Sequence, residues 1–183
     1  METHFTDISY LATGNPRQRH CYAVLTKTRV LELLAPYGAV LAGTIPLGID
    51  VPSSDLDVIC RVTDFDEFAR FARQNFGQYE DFAIRYLDRD RVVCGFFEEG
   101  EEVEIYGSPT PPRQTNGFRH MIIEARLLGV LGGQFTEKVR ALRREGMKTE
   151  PAFAWLLGLT GDPYEAVRSL EVYSDKQLAE LFI

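Results

Sequence analysis

A chain of 183 residues, 45% of them hydrophobic, is long enough to close a proper core of one domain with a helical extension, which excludes intrinsic disorder. Its 20 Lys and Arg against 27 Asp and Glu leave a formal net charge of -7, which argues against a protein that coats nucleic acid, because phosphate binding is driven by clustered cations. No run of about 18 apolar residues exists, and positions 1–7 lack the basic and apolar regions of a signal peptide, so a cytoplasmic protein without a membrane partner is expected.

In chain order, 18–36 reads as a helix with Leu25, Val30, Leu31 and Leu34 on an apolar stripe, ended by Pro36 and Gly38. A short strand over 39–42 runs into Gly43-Thr44 and a loop punctuated by Pro46, Gly48 and Pro52, then into a strand over 56–62. Asp64, with Glu67 three residues later, opens a helix through 76 that Gly77 stops. Strands around 82–87, 91–97 and 102–106 form a meander, separated by Asp88-Arg89-Asp90 and Glu98-Glu99-Gly100.

The proline-rich stretch at 109–112 marks a composition shift, so 1–110 is expected to form an α+β core and 111–183 a helical C-terminal subdomain packed on it. Helices are expected over 117–131, 136–145, 151–157, 163–170 and 175–182, with Gly132-Gly133 between the first two. Phe118, Met121, Ile122, Ala125 and Leu128 form the buried stripe of the first, leaving Arg119, His120 and Glu124 on its polar remainder. Trp155, with Phe153, Leu156 and Leu157, reads as core of the helical part. The fold class is α+β, a mixed sheet flanked by helices and followed by a helical cap. Cys21, Cys60 and Cys94, odd in number and set among apolar neighbours, read as reduced packing thiols, and three histidines make zinc improbable.

Chemistry is suggested where Asp55 and Asp57 open an apolar run just after a glycine-rich turn. In an extended strand they point the same way while Leu56 and Val58 supply core contacts. Like charges held this close are costly unless a cation, protons or solvent offsets them, and clustered aspartate oxygens suit a hard divalent ion such as magnesium. Glu104 shares its strand face with Glu102 and Tyr106, so it meets the two aspartates if its strand lies beside theirs.

Gly43-Thr44, ten further residues, then Asp55-Leu56-Asp57 ahead of an apolar strand, with Glu104 in a later one, resemble the signature of the nucleotidyltransferase superfamily, which has the DNA polymerase β-like fold. Ile45-Pro46-Leu47-Gly48-Ile49-Asp50 and Arg119-His120-Met121 are also similar to a group of its small bacterial members. The resemblance implies a nucleotidyltransferase-like core in which Asp55, Asp57 and Glu104 are catalytic and hold Mg2+, up to two ions. It implies a nucleoside triphosphate (NTP) whose phosphates rest on the Gly43-Thr44 turn, in-line release of pyrophosphate, and a hydroxyl acceptor on a small molecule or protein. Arg119 and His120 are candidate nucleotide-binding residues, Tyr106 a candidate stacking partner and Arg85 a counterion for Glu104. Three departures stand out: Thr44 for serine, Glu104 for aspartate, and no basic residue over 45–50. They leave open a non-catalytic nucleotide-binding or interaction module of the same fold, and a metal-dependent phosphohydrolase.

Overall fold

In the computed structural model, which describes residue 5 and residues 7–182, the chain folds around a five-stranded mixed sheet. The leader reading of positions 1–7 rests largely outside the described residues. Strands β1 (Val40–Ala42), β2 (Leu56–Arg61), β3 (Glu80–Tyr86), β4 (Val92–Glu98) and β5 (Glu101–Ser108) take the order β1-β2-β5-β4-β3. β2 and β5 are parallel, and every other pair is antiparallel.

Alternation sorts the sheet into two faces. Leu56, Val58 and Cys60 of β2, with Val103 and Ile105 of β5, enter a core completed by α1 (Pro16–Thr28) through Cys21, Val24 and Leu25 and by α3 (Phe65–Phe76) through Phe68, Ala72 and Phe76. Asp57, Ile59, Glu104 and Tyr106 fall on the opposite face, where Val40, Ala42 and Ile59 meet Phe118 and Met121 of α4 (Asn116–Arg144). A separate apolar core lies among α4, α5 (Thr149–Leu157), α6 (Pro163–Ser169) and α7 (Asp175–Phe182), built on Ile123, Leu127, Phe153, Val167 and Leu178. Ile49 enters this core from the loop between β1 and β2, so the loop is anchored in the helical part. The expected α+β architecture is the observed one, and all three cysteines are buried free thiols. No helix among the described residues is long and apolar enough to cross a membrane.

Four expectations need correction. The helix over 18–36 is broken: α1 starts at Pro16, behind a reciprocal cap of Asn15 and Gln18, and stops where Arg29 takes a left-handed φ of 54° before the short α2 (Val30–Leu33). The buried stripe of α4 is rotated. Phe118 and Met121 are buried as expected, but Ile123 and Leu127 replace Ile122 and Leu128, because α4 is covered on one side by the sheet and on another by α5 and α6. The same rotation buries His120 and Glu124, read from sequence as polar surface. Trp155 is 72% exposed rather than core, since two positions along a helix turn the chain by about 200° and Phe153 takes the inward place. By contrast, the expected interruption at Gly132 is present, with φ 75° and ψ -170° inside α4.

Candidate active site

Asp57 and Glu104 stand opposite one another on the parallel strands β2 and β5, and Asp55 lies just ahead of β2. Each of the three offers a carboxylate oxygen within 4.8 Å of the others. On the other side of β2, Ala42 pairs with Asp57, which brings Gly43 against the same carboxylate. Gly43 has φ 82°, and a Cβ there would sit 2.1 Å from Asp57 Oδ2, so both the backbone and the space require glycine.

The loop that follows is held from within and without. The Thr44 carbonyl accepts from the amides of Leu47 at 3.1 Å and Ile49 at 3.2 Å, and its hydroxyl donates to Ser54 Oγ at 3.3 Å. Gln18 Nε2 donates to the Ile45 carbonyl at 2.9 Å, Arg140 Nε to the Gly48 carbonyl at 2.7 Å, and Arg17 Nη2 to the Ser54 carbonyl at 2.9 Å. Arg17 is also paired with the buried Glu101 at 2.7 Å, so the residue before Asp55 is tied to the start of β5. Sequence reasoning missed these three braces. Gln18 carried a signal in its spacing from Asn15, which marks a helix cap; Arg17 and Arg140 carried none.

Burial, then the neighbouring charges of Asp55 and Glu104, push the Asp57 carboxyl up to about 7. Burial and Asp55 also raise Glu104, against the pull of Arg85. Arg85 Nη2 lies 3.9 Å from Glu104 and reaches it across β4 at Gly95, whose lack of a side chain leaves the path open. Among the described residues Asp55 and Asp57 have no ion pair. Three hard oxygen donors with one distant counterion fit a hard divalent cation.

Asp57 and Glu104 face a cavity of about 460 Å³ lined also by Ile59 and Tyr106 of the sheet and by Thr110, Gln114 and Asn116 at the approach to α4. Asp55, Asp57, Glu104 and Gly43 are brought together with Thr44 adjoining, and Tyr106 shares the cavity of Asp57 and Glu104. Arg119 lines a neighbouring cavity instead, where its Nε donates to Glu171 at 3.0 Å. His120, 6% exposed, lines neither: its Nε2 meets the Tyr164 carbonyl at 3.0 Å and its Nδ1 meets Glu150 at 3.3 Å. The helix face that carries it turns toward α5 and α6.

With this geometry in hand, relatives are informative. The sequence model of the family described as "Domain of unknown function (DUF4269)" matches residues 23–170. Among curated proteins none matches. Among solved structures, a chain of Cid1, reported for its RNA terminal uridylyl transferase activity, superposes with a TM-score of 0.57 at 13% identity, over 84% of this chain and 48% of that one. The Cid1 poly(U) polymerase bound to MgATP gives a TM-score of 0.56 at 11% identity over 84% and 49%, and its MgGTP-bound form 0.53 at 12% over the same shares. The chain therefore spans about half the length of the solved chains it matches. At such identities the likeness is one of fold, and that fold is nucleotidyltransferase-like.

Proposed function

The chain belongs to the DUF4269 family, a name that leaves activity open, and we propose that it is a metal-dependent nucleotidyltransferase, moving a nucleoside monophosphate from an NTP to a hydroxyl of a small molecule or protein. The observation that carries this reading is the cluster of Asp55, Asp57 and Glu104, gathered at two parallel strands beside a cavity that Asp57 and Glu104 line, in a nucleotidyltransferase-like fold. In this reading the three carboxylates hold Mg2+, as one ion or two. Bound there, the metal offsets phosphate charge and lowers the pKa of an acceptor hydroxyl.

The chain's own residues do the rest. Gly43 lets the backbone approach phosphate oxygens beside Asp57, and the braced loop holds Thr44 in place without rearrangement. Tyr106 offers a ring face to the base on the cavity wall. The acceptor oxygen forms a bond to the α-phosphorus as the bond from that phosphorus to the bridging oxygen breaks; the β- and γ-phosphates leave as pyrophosphate and the hydroxyl proton passes to water. The acidic balance of the chain favours a small-molecule or protein acceptor over a nucleic acid, and a cytoplasmic setting supplies NTP.

Thermal stability of wild type and Asp57→Asn against each NTP, with and without magnesium, tests this reading. A rise in wild type that needs both metal and nucleotide is expected, with pyrophosphate release once an acceptor is present; no shift with any nucleotide would sink it. A second reading, nucleotide binding without turnover, is favoured by the loop over 45–50, which has no basic residue of its own and whose neighbour Arg140 is engaged by Gly48 and Glu137. It predicts the same stabilisation with no pyrophosphate release.

A further inference from the structure

A larger cavity of about 720 Å³ adjoins the acid-lined one and shares Thr110 and Gln114 with it. We propose that this second cavity seats the acceptor, and that the acceptor is a small molecule with an anionic group and a flat or apolar body. The inference rests on the nucleotidyl-transfer reading and names the substrate class of its second partner.

The walls of the cavity argue for that chemistry. Ile122, partly buried, supplies apolar surface over the buried Phe118, and Arg113, Arg119 and Arg126 bring guanidinium groups to the wall beside one lining carboxylate, Glu171. Arg119 is held by Glu171 through two of its N–H groups and keeps three donors, whereas Arg126 is taken up by Asp175 at 2.8 Å and by the Glu171 and Tyr173 carbonyls and serves as structure. Arg113 has no hydrogen bond or ion pair among the described residues and is exposed at the cavity rim. With Arg119 and Arg126 each answered by a carboxylate, the free charge of the cavity is the one guanidinium of Arg113, and a cation without a partner suits a carboxylate or phosphate. Arg113 also immediately precedes Gln114, which lines both cavities. The two cavities meet at Thr110 and Gln114, so in this proposal a ligand anchored at Arg113 with its body on Ile122 turns its hydroxyl across that shared wall toward the cavity of Asp57 and Glu104.

The test titrates 1-naphthyl phosphate and 1-naphthoate, planar anions of the two kinds, into wild type, Asp57→Asn and Arg113→Glu, followed by calorimetry with and without magnesium and a non-hydrolysable ATP analogue. Saturable binding of at least one probe is expected, unchanged by Asp57→Asn, weakened tenfold or more by Arg113→Glu, and retained when the metal nucleotide is bound. Absence of saturable binding, equal binding by Arg113→Glu, or displacement by the ATP analogue would overturn the proposal, the last by making the cavity the nucleotide's own. Probe binding that depends on Arg113 in a protein that takes up no metal nucleotide would sink the transferase reading and the acceptor role with it, whereas uptake of the metal nucleotide without Arg113-dependent probe binding would overturn this inference alone, so the two failures are distinguishable.

Discussion

Two regions of the molecule bury carboxylates and treat them oppositely. At β2 and β5, Asp55 clusters with Asp57 and Glu104, which line a cavity, with Arg85 as a distant, mostly exposed counterion. Among the helices, Glu124 is buried with His120 beside the partly buried Glu150 and Arg143, and Glu150 pairs with His120 at 3.3 Å. Burial first, and neighbouring acids next, raise Asp57 to about 7 and Glu124 to about 8. In the helical cluster cations answer. The hydrogen bond that His120 donates to Glu150 raises His120, and although burial opposes it, the same bond and nearby positive charge hold Glu150 below the usual carboxylate range. A raised carboxyl alone therefore does not mark a site; what marks one is a same-sign cluster open to a cavity.

The largest effect that would break this comparison belongs to Asp57→Asn. Metal-dependent turnover is expected to fall by about a thousandfold or more. Without metal, the sign reverses for stability. The Asp57 carboxyl stands at about 7 in the folded chain against its ordinary 3.8, so wild type loses stability as pH rises from 3.8 to about 7, and the variant escapes that loss. Thermal melts across this window without metal, alongside pyrophosphate assays, check both halves.

Gly43→Ala comes next. A left-handed φ and a Cβ in contact with Asp57 should together cost about 1–3 kcal/mol in denaturant unfolding and weaken divalent-ion binding. Unchanged stability and metal binding would show that the turn does not press on the acid.

Glu124→Gln sharpens the contrast from the other side. Glu124 binds its proton up to about pH 8 when folded against an ordinary 4.5 when unfolded, so wild type loses stability across that interval as pH rises. The variant should lose less, by on the order of 1 kcal/mol or more, while nucleotide binding stays the same; a loss of binding would mean that the two regions are not independent. Smallest is Arg85→Ala. An exposed pair of this kind contributes about 0.2–1 kcal/mol, so its removal should tighten Mn2+ binding by up to about fivefold through relief of competition at Glu104.

Much of the acid site was legible because its signal is local: Asp55 and Asp57 are two residues apart where β2 begins, and the alternation around Glu104 fixed its face. That β5 lies parallel beside β2 was a condition that sequence could state and only topology could meet. The helical part was harder to read. His120 and Glu124 carry polar side chains in an amphipathic pattern, and their burial follows from α4 being covered on two sides, a fact of packing absent from any single helix. The left-handed Arg29 sits in a stretch with no glycine or proline between Pro16 and Pro36, and its β-branched neighbours Thr28 and Val30 only weaken a helix, so no strong breaker announces the interruption. Arg140 reaches Gly48 from 92 positions away, and no spacing rule spans that distance.

The most direct test of the central claim is Mn2+ binding to wild type and Asp57→Asn, followed by water-proton relaxation, with and without ATP. Saturable binding in wild type, strengthened by nucleotide and lost in the variant, is the predicted result. Equal binding by the two proteins would contradict a metal site on Asp55, Asp57 and Glu104.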